Sequence, residues 1–280
     1  MVRAKLPGFD ERLVEIEGSA LRYFVAGDGP PLVLVHGLGG AAMNWISVAP
    51  ALAERRRVLV PDLPGHGGSE PLPALRSLSV LADRVGLLAE RESMLPAPFV
   101  GHSLGGAVSL WLAARRPDDV TGVVLAGAAT IGARSALAKG LIRAIGLARP
   151  GRLVAPLRGV VAGTPWLRYP VFGVWGASDP PAMPAAAVEG FLEPQLLHTD
   201  TRSAGQALLA GDAPDLARVR CPCLVLWGAR DRITTLESGF AYARRLGAPL
   251  RVIADCGHLL IGERPDACLD AIEGFLDRIG

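Results

Sequence analysis

Cysteine and lysine are both scarce in this chain of 280 residues. The four cysteines lie at Cys221, Cys223, Cys256 and Cys268 and do not form the paired CxxC pattern of a zinc site. This scarcity argues against a disulfide-rich secreted scaffold and favours a reduced chain in the cytoplasm. Lysine occurs only twice, so nearly all the positive charge is arginine. We expect no metal site and no cofactor.

The chain also lacks long uncharged apolar runs and an excess of charge of either sign. No run reaches the roughly 18 residues that a transmembrane helix needs, and the first residues lack the apolar core of a secretory signal. We therefore expect no integral membrane segment. The 29 basic and 27 acidic residues give a net charge of +2, which excludes a globally basic nucleic-acid-binding protein. Hydrophobic residues make up 50%, so a large core is expected.

Short apolar runs alternate along the chain with stretches that have helical spacing. Strands are expected near residues 13–16, 21–25, 32–35, 57–60, 98–100, 120–125, 223–227 and 250–253. Helices are expected near residues 42–53, 75–92, 104–115, 236–246 and 265–278. This alternation predicts an α/β fold with a mostly parallel, doubly wound sheet and helices on both of its faces.

Residues 128–216 interrupt the alternation. They are rich in proline and glycine, with apolar helical pieces between them and no clear strand. We expect a core formed by residues 1–127 and 217–280, and a mainly helical cap formed by residues 128–216. We call these residues the insertion and expect them to cover the carboxyl edge of the sheet.

The sequence Gly101-His102-Ser103-Leu104-Gly105 matches the pattern GxSxG between an expected strand and an expected helix. A serine at such a strand–turn–helix corner is strained, and the two glycines remove a collision between side chains. The start of the helix would direct free N–H groups at a reacting centre. A glycine-rich helix start with an N-cap serine is the alternative interpretation.

Proline lies close to this corner. Pro96 and Pro98 fall near or within the strand that precedes it, and proline cannot donate to a ladder of hydrogen bonds. We expect that strand to begin only at Phe99 or to contain a bulge.

Five motifs occur in an order that resembles the α/β-hydrolase family. They are HGLGG at 36–40, DLPGHGGS at 62–69, GHSLGG at 101–106, GARDRI at 228–233 and GHLLIGERP at 257–265. The resemblance covers nearly the whole chain apart from the insertion, and it implies eight mainly parallel strands. Residue by residue, it implies Ser103 as the nucleophile, Asp231 as the acid and His258 as the base.

The chemistry of these three residue types supports the same assignment. A serine hydroxyl is a weak nucleophile until an adjacent base takes its proton, and imidazole suits that role near neutral pH. A buried carboxylate holds the imidazole in one tautomer. Asp231 and His258 each follow the end of an expected strand. Such ends converge at the carboxyl edge of a parallel sheet.

Other residues compete for the roles of base and acid. The remaining histidines are His36, His66, His102 and His198. We expect structural hydrogen bonds from the first two, packing from His102 and surface exposure for His198. Asp255 and Asp179 are the alternative acids, and Asp255 is close enough in sequence to His258 to hydrogen-bond its loop.

An acyl-transfer site also needs two backbone N–H groups that stabilise a developing oxyanion. The resemblance implies Leu104, which follows the nucleophile, and Leu38 in HGLGG. Gly37, Gly39 and Gly40 would let that loop approach closely, although a generic tight turn is the alternative.

These features predict a cofactor-free serine hydrolase that cleaves a carboxylic ester with an apolar acyl group through an acyl-enzyme intermediate. The same three residues can instead act on a C–C bond or a thioester, or transfer an acyl group, because the substrate pocket decides. A non-catalytic ligand receptor on this fold is less favoured. The expected partner is a small-molecule ester or acyl substrate.

The insertion has an unusual charge pattern, because no Asp or Glu occurs from Val120 to Ser178. Seven positive residues lie there: Arg134, Lys139, Arg143, Arg149, Arg152, Arg158 and Arg168. Leu137, Leu141 and Ile145 form an apolar stripe that could cover an acyl pocket. Solvated arginines are the simplest interpretation. The alternative is an anion at the pocket mouth: an acyl carrier, a coenzyme A ester or an anionic lipid surface. We favour a carrier or coenzyme slightly, because the sequence contains no stronger membrane-anchoring signal.

Overall fold

A computed structural model of the chain describes residues 5–73, 75–129, 139–140, 150–174 and 176–280. Within these residues, eight strands form one sheet. They are β1 (Asp10–Ile16), β2 (Ser19–Ala26), β3 (Pro31–Val35), β4 (Arg57–Pro61), β5 (Ala97–His102), β6 (Val120–Ala126), β7 (Cys223–Gly228) and β8 (Leu250–Ile253). All eight strands expected from the sequence are present, which confirms the predicted α/β class.

The strands lie side by side in the order β1-β2-β4-β3-β5-β6-β7-β8. β1 is antiparallel to β2, and β2 is antiparallel to β4, whereas all pairs from β4 to β8 are parallel. The sheet is therefore mostly parallel. The carboxyl ends of β3 to β8 lie at one edge, where residues from distant parts of the chain can meet.

Helices follow most of the parallel strands. They are α1 (Ala49–Ala53), α2 (Leu78–Arg91), α3 (Leu104–Arg115), α4 (Pro150–Val154), α5 (Arg158–Gly163), α6 (Ala185–Leu192), α7 (Thr201–Ala210), α8 (Leu236–Leu246), α9 (Leu260–Glu263) and α10 (Pro265–Ile279). The helices expected from 75, 104, 236 and 265 are found within about a turn of their expected bounds. The stretch expected to be helical from 42 to 53 is divided into a 3₁₀ turn, Ala42–Trp45, and α1.

Apolar residues cover both faces of the sheet because successive strand residues point to opposite sides. In β3, Val33 and Val35 belong to the apolar cluster that contains residues of α2 and α3. Leu32 and Leu34 belong to the opposite cluster, which contains residues of α1 and α10. The strand therefore reads as an unbroken apolar run, as expected for a parallel strand that is covered on both faces.

The central strand β5 contains a bulge. It begins at Ala97, and its register against β6 shifts between Ala97 and Pro98. Of the two alternatives predicted for this strand, the bulge is confirmed and the late start at Phe99 is wrong. The irregularity accommodates Pro98, which has no N–H to donate to the ladder.

All eight strands found in the described residues lie outside residues 128–216. Short helical segments dominate the described part of the insertion: α4 to α7, the 3₁₀ turns Ala155–Leu157, Pro165–Leu167, Pro180–Ala182 and Glu193–Leu196, and a π-helical turn, Tyr169–Gly173. Some of them enclose a third apolar cluster that includes Val161, Phe172 and Val188. The division into core and cap stays a prediction. No described helix has the length and apolar character needed to cross a bilayer.

The charged residues of the insertion differ in their surroundings. Arg134, Arg143 and Arg149, with the stripe Leu137, Leu141 and Ile145, lie outside the described residues. Arg168 is buried, and its guanidinium donates to the backbone carbonyls of Val161, Ala162, Pro181 and Met183. The expectation of a solvated arginine is therefore wrong for Arg168, because its donors join two segments of the insertion.

Candidate active site

Ser103 lies at the corner between β5 and α3, with φ 52° and ψ −114°. A residue other than glycine rarely adopts a positive φ, so this backbone is strained. A Cβ on Gly101 would lie 2.3 Å from the carbonyl oxygen of Gly105, and a Cβ on Gly105 would lie 2.1 Å from that of Val35. The corner therefore requires both glycines of GxSxG, and it places Ser103 at the carboxyl edge of the sheet.

The structure brings together the three residues that were predicted to form a triad. His258 Nε2 lies 3.0 Å from Ser103 Oγ, and His258 Nδ1 lies 2.8 Å from Asp231 Oδ2. They come from the ends of β5, β7 and β8, which share one edge of the sheet. An ionised carboxylate can only accept, so Nδ1 donates to Asp231, and the lone pair of Nε2 faces the serine hydroxyl.

Asp231 is held as an ionised acceptor. Its Oδ1 accepts from the amides of Ile233 at 2.8 Å and Thr234 at 2.9 Å, and the Thr234 hydroxyl donates to Oδ2 at 2.7 Å. Burial alone would raise the pKa of Asp231. Attraction to the protonated form of His258, with hydrogen bonds from His258 and Thr234, outweighs burial and lowers that pKa. Thr234 is not among the site residues predicted from the sequence, although a hydroxyl three residues after an aspartate is a recognisable local hydrogen-bonding pattern.

The loop that carries His258 is tied to the insertion through Glu263. This buried carboxylate accepts from the Gly257 amide at 2.8 Å through Oε1, and from the amides of residues 178–179 at 2.6 and 3.0 Å through Oε2. The His258 amide also donates to the carbonyl of Gly176 at 2.8 Å. Glu263 lies in the motif GHLLIGERP, but the motif alone does not predict this role for it.

His102 contacts the backbone of His258. Its Nε2 lies 2.9 Å from the carbonyl oxygen of His258 and must donate to it, since a carbonyl only accepts. Burial, followed by repulsion from the protonated form of His258, lowers the pKa of His102 to about 3. His102 is therefore a neutral packing side chain, as expected, and it does not occupy the position of the base.

The two alternative acids have other partners. Asp255 is exposed and forms an ion pair with Arg230 at 2.8 Å. Asp179 lies 3.4 Å from Arg264. The Nδ1 atom of His258, in contrast, lies within hydrogen-bonding distance of Asp231 and of the Thr234 hydroxyl, at 2.8 and 3.1 Å.

The HGLGG loop passes directly beside the serine. A Cβ on Gly37 would lie 3.1 Å from Ser103 Cβ, and a Cβ on Gly40 would lie 2.0 Å from Asn44 Oδ1. Gly39 has φ +69°, which favours glycine. Leu38 is thus in a loop that packs closely against Ser103, and Leu104 is the first residue of α3. Their N–H groups remain the predicted oxyanion donors.

Two side chains of the insertion hold this loop. Gln195 Nε2 donates to the carbonyl of Gly39 at 2.6 Å, and His198 Nε2 lies 2.9 Å from the same oxygen. The amide of Gly67 donates to His198 Nδ1 at 2.8 Å, so Nε2 carries the proton and donates. His198 is 7% exposed, and the expectation of surface exposure was therefore wrong. Its hydrogen bonds to two loops of the predicted core explain its burial.

The chain is similar to known alpha/beta hydrolases. A model of the alpha/beta hydrolase family matches residues 32–271. The chain is 32% identical over 272 residues to the dihydrolipoyllysine-residue acetyltransferase component of an acetoin-cleaving system from Pseudomonas putida, covering 94% of this chain and 68% of that protein. It is 33% identical over 219 residues to a pimeloyl-[acyl-carrier protein] methyl ester esterase from Chromobacterium violaceum, covering 76% of this chain and 80% of that protein.

Solved structures show the same architecture. The crystal structure of a membrane phospholipase A, a bacterial virulence factor, aligns with a TM-score of 0.77 at 27% identity and covers 98% of this chain and 87% of that chain. A hydrolase from Pseudomonas aeruginosa PA01 aligns with a TM-score of 0.73 at 28% identity, and the alignment covers 95% of this chain and 98% of that chain.

Proposed function

The chain belongs to the alpha/beta hydrolase family, and on that premise we propose that it is a serine hydrolase that cleaves a carboxylic ester through an acyl-enzyme intermediate. Ser103 is the nucleophile, His258 the general base and Asp231 the carboxylate that orients it. The observation that carries the proposal is the hydrogen-bonded row from Ser103 Oγ through the His258 ring to Asp231 Oδ2, with distances of 3.0 and 2.8 Å.

The first half of the reaction forms the acyl-enzyme. His258 Nε2 takes the proton of Ser103 Oγ as that oxygen bonds to the carbonyl carbon of the ester. The N–H groups of Leu38 and Leu104 stabilise the resulting oxyanion. The C–O bond to the alcohol then breaks, and His258 gives its proton to the departing oxygen. Ionised Asp231 stabilises the imidazolium throughout, which fits its lowered pKa.

The second half regenerates the enzyme. A water molecule gives a proton to His258 Nε2 while its oxygen bonds to the acyl carbon. The bond from that carbon to Ser103 Oγ breaks, and the serine recovers the proton from His258. The carboxylic acid leaves, so the balance is one ester and one water to one acid and one alcohol.

Similar proteins support an acyl group as the reacting part of the substrate. One relative is a methyl ester esterase and another is an acetyltransferase. Acyl transfer is therefore the second candidate, since an acyl-enzyme reacts with whichever acceptor reaches it. Cleavage of a thioester or a C–C bond uses the same three residues.

We further propose that the insertion covers the site as a mainly helical cap. The substrate is a small-molecule ester, and the enzyme acts in the cytoplasm. An anionic acyl carrier or coenzyme A ester is a less favoured substrate, because Arg168 is committed to four backbone carbonyls and leaves fewer of the seven cations for an anion.

The test is covalent labelling of the serine together with pre-steady-state kinetics. A fluorophosphonate probe should label the wild-type chain and should not label Ser103→Ala. Ser109 is a buried serine on α3, and the control variant Ser109→Ala should still be labelled. A short-chain nitrophenyl ester should give a burst of about one nitrophenol per chain. Labelling of Ser103→Ala would contradict the assignment of Ser103 as the nucleophile. Faster nitrophenol release with an added alcohol, together with a new ester product, would favour acyl transfer.

A further inference from the structure

Residues 150–174 carry most of the large apolar side chains that the described chain exposes. Six of the nine such side chains lie there, with 55% to 80% of their surface accessible. They are Leu153, Leu157, Val160, Trp166, Tyr169 and Val174. We call these six residues the apolar face. A concentration of this kind marks an interaction surface, whereas single exposed apolar residues need no explanation.

The first half of the apolar face lies on one side of a helical run. α4, the turn Ala155–Leu157 and α5 follow one another directly. Leu153, Leu157 and Val160 are spaced by four and three residues and therefore share a side. Ala155 and Val161 are buried on the other side. A helical run that is apolar on both sides is normally covered on both sides.

The second half of the apolar face lies next to this run. Between Trp166 and Tyr169, Arg168 points inward and donates to the carbonyls of Val161 and Ala162 near the end of α5. These bonds hold residues 165–169 against α5 while both aromatic rings stay exposed. Tryptophan and tyrosine combine an apolar ring with a polar group, which suits them to the boundary between lipid and water.

The charge around the apolar face favours an anionic partner. Arg152 is exposed and Arg158 is half-buried within the same helical run, and no acidic residue occurs from 120 to 178. A second copy of the chain would bring the same positive charges against them. An anionic surface would attract them, and arginine suits phosphate in particular.

We propose that the apolar face docks on an anionic phospholipid bilayer. Leu157 and Trp166 enter the boundary between headgroups and acyl chains, and Arg152 and Arg158 meet lipid phosphates. The apolar face provides the membrane-anchoring signal whose absence from the sequence favours a carrier over a membrane. Docking is peripheral and requires no turnover, so it does not depend on the proposed function.

Vesicle binding of the Ser103→Ala chain tests the proposal without hydrolysis. The chain should co-sediment with vesicles of mixed phosphatidylglycerol and phosphatidylcholine. Leu157→Ser with Trp166→Ser should weaken this binding about tenfold or more, because each removes apolar surface from the lipid boundary. Leu13→Ser with Phe240→Ser is the matched control. It removes two side chains of similar exposure from outside the insertion and should leave binding unchanged.

The cations are tested separately. Arg152→Gln with Arg158→Gln should weaken binding to the anionic vesicles about tenfold at low salt and should change binding to pure phosphatidylcholine little. Trp166→Ser alone is a milder variant, and a thermal melt shows whether each variant is folded.

Two results would overturn the proposal. One is equal vesicle binding by the Leu157/Trp166 variant and the Leu13/Phe240 control. The other is a dimer in sedimentation equilibrium that Trp166→Ser dissociates, because the apolar face would then be covered by a second copy.

Discussion

His198 donates from Nε2 to the carbonyl oxygen of Gly39 at 2.9 Å, across 159 residues of sequence. This bond joins the insertion to the loop that contains Leu38, the predicted oxyanion donor. Gln195 donates to the same oxygen. The orientation of a loop in the predicted core therefore depends on two side chains of the insertion.

Removing either donor should lower kcat and leave KM nearly unchanged. His198→Phe keeps a ring of similar size, and Gln195→Leu keeps the bulk of the side chain. Loss of a direct oxyanion donor costs about 10²–10³ in kcat, so an indirect loss through Gly39 should cost roughly tenfold. Because both donors act on one oxygen, the double variant should show less than the sum of the two losses in activation free energy.

The control for these variants is Gln206→Leu, which makes the same change at an exposed glutamine on α7. It should keep full activity. Affinity for a phosphonate transition-state analogue should fall with kcat in His198→Phe. A rise in KM with unchanged kcat would instead place His198 in substrate binding.

Asp231→Asn should lower kcat by roughly 10⁴ because an amide leaves His258 in the wrong tautomer. Asp255→Asn is the matched control. It makes the same change at an exposed carboxylate paired with Arg230 and should cost less than about twofold. Both are measured with a nitrophenyl ester at neutral pH. A larger loss in Asp255→Asn would mean that the acid is misassigned.

Much of the fold was predictable because its signals are local. Buried parallel strands read as apolar runs, and Gly101 and Gly105 are required by the geometry of the corner that they flank. Contacts between distant segments were not predictable in the same way. The sequence around His198 gives no sign of the two loops that bury it, so it is predicted to be a surface residue. Arg168 is likewise predicted to be a solvated cation, because its four carbonyl partners are known only from the structure.

His102 should make the fold less stable as the pH falls. Its pKa is about 3 in the folded chain, against an ordinary value of 6.5. Between these values the unfolded chain binds a proton that the folded chain excludes. The free energy of unfolding should therefore fall with decreasing pH across this window, by up to about 1.4 kcal/mol per pH unit for this one proton.

His102→Gln tests that linkage, because glutamine retains an N–H donor for the carbonyl of His258 and does not titrate. The free energy of unfolding is measured with urea from pH 7 to pH 4. It should depend less steeply on pH in the variant, by an amount that corresponds to about one proton. His36, whose pKa burial lowers well below its ordinary value, should still contribute to the slope in both proteins. Parallel curves for the two proteins would mean that His102 takes up a proton as readily in the folded chain as in the unfolded chain.

Glu263→Gln should lower both stability and kcat, because this one carboxylate joins the His258 loop to the insertion. Three backbone amides donate hydrogen bonds to the two oxygens of Glu263. Glutamine has only one oxygen that can accept them, because its other terminal group is an NH₂ donor. An unsatisfied buried group costs about 1–3 kcal/mol, so the free energy of urea unfolding should fall by that order. Because the Gly257 amide precedes His258 directly, the rate of fluorophosphonate labelling should fall as well. Glu92→Gln is the control, since Glu92 accepts from Arg12 and the Tyr23 hydroxyl at the end of α2. It should lose stability and keep the labelling rate, and an unchanged labelling rate in Glu263→Gln would show that Glu263 supports only the fold.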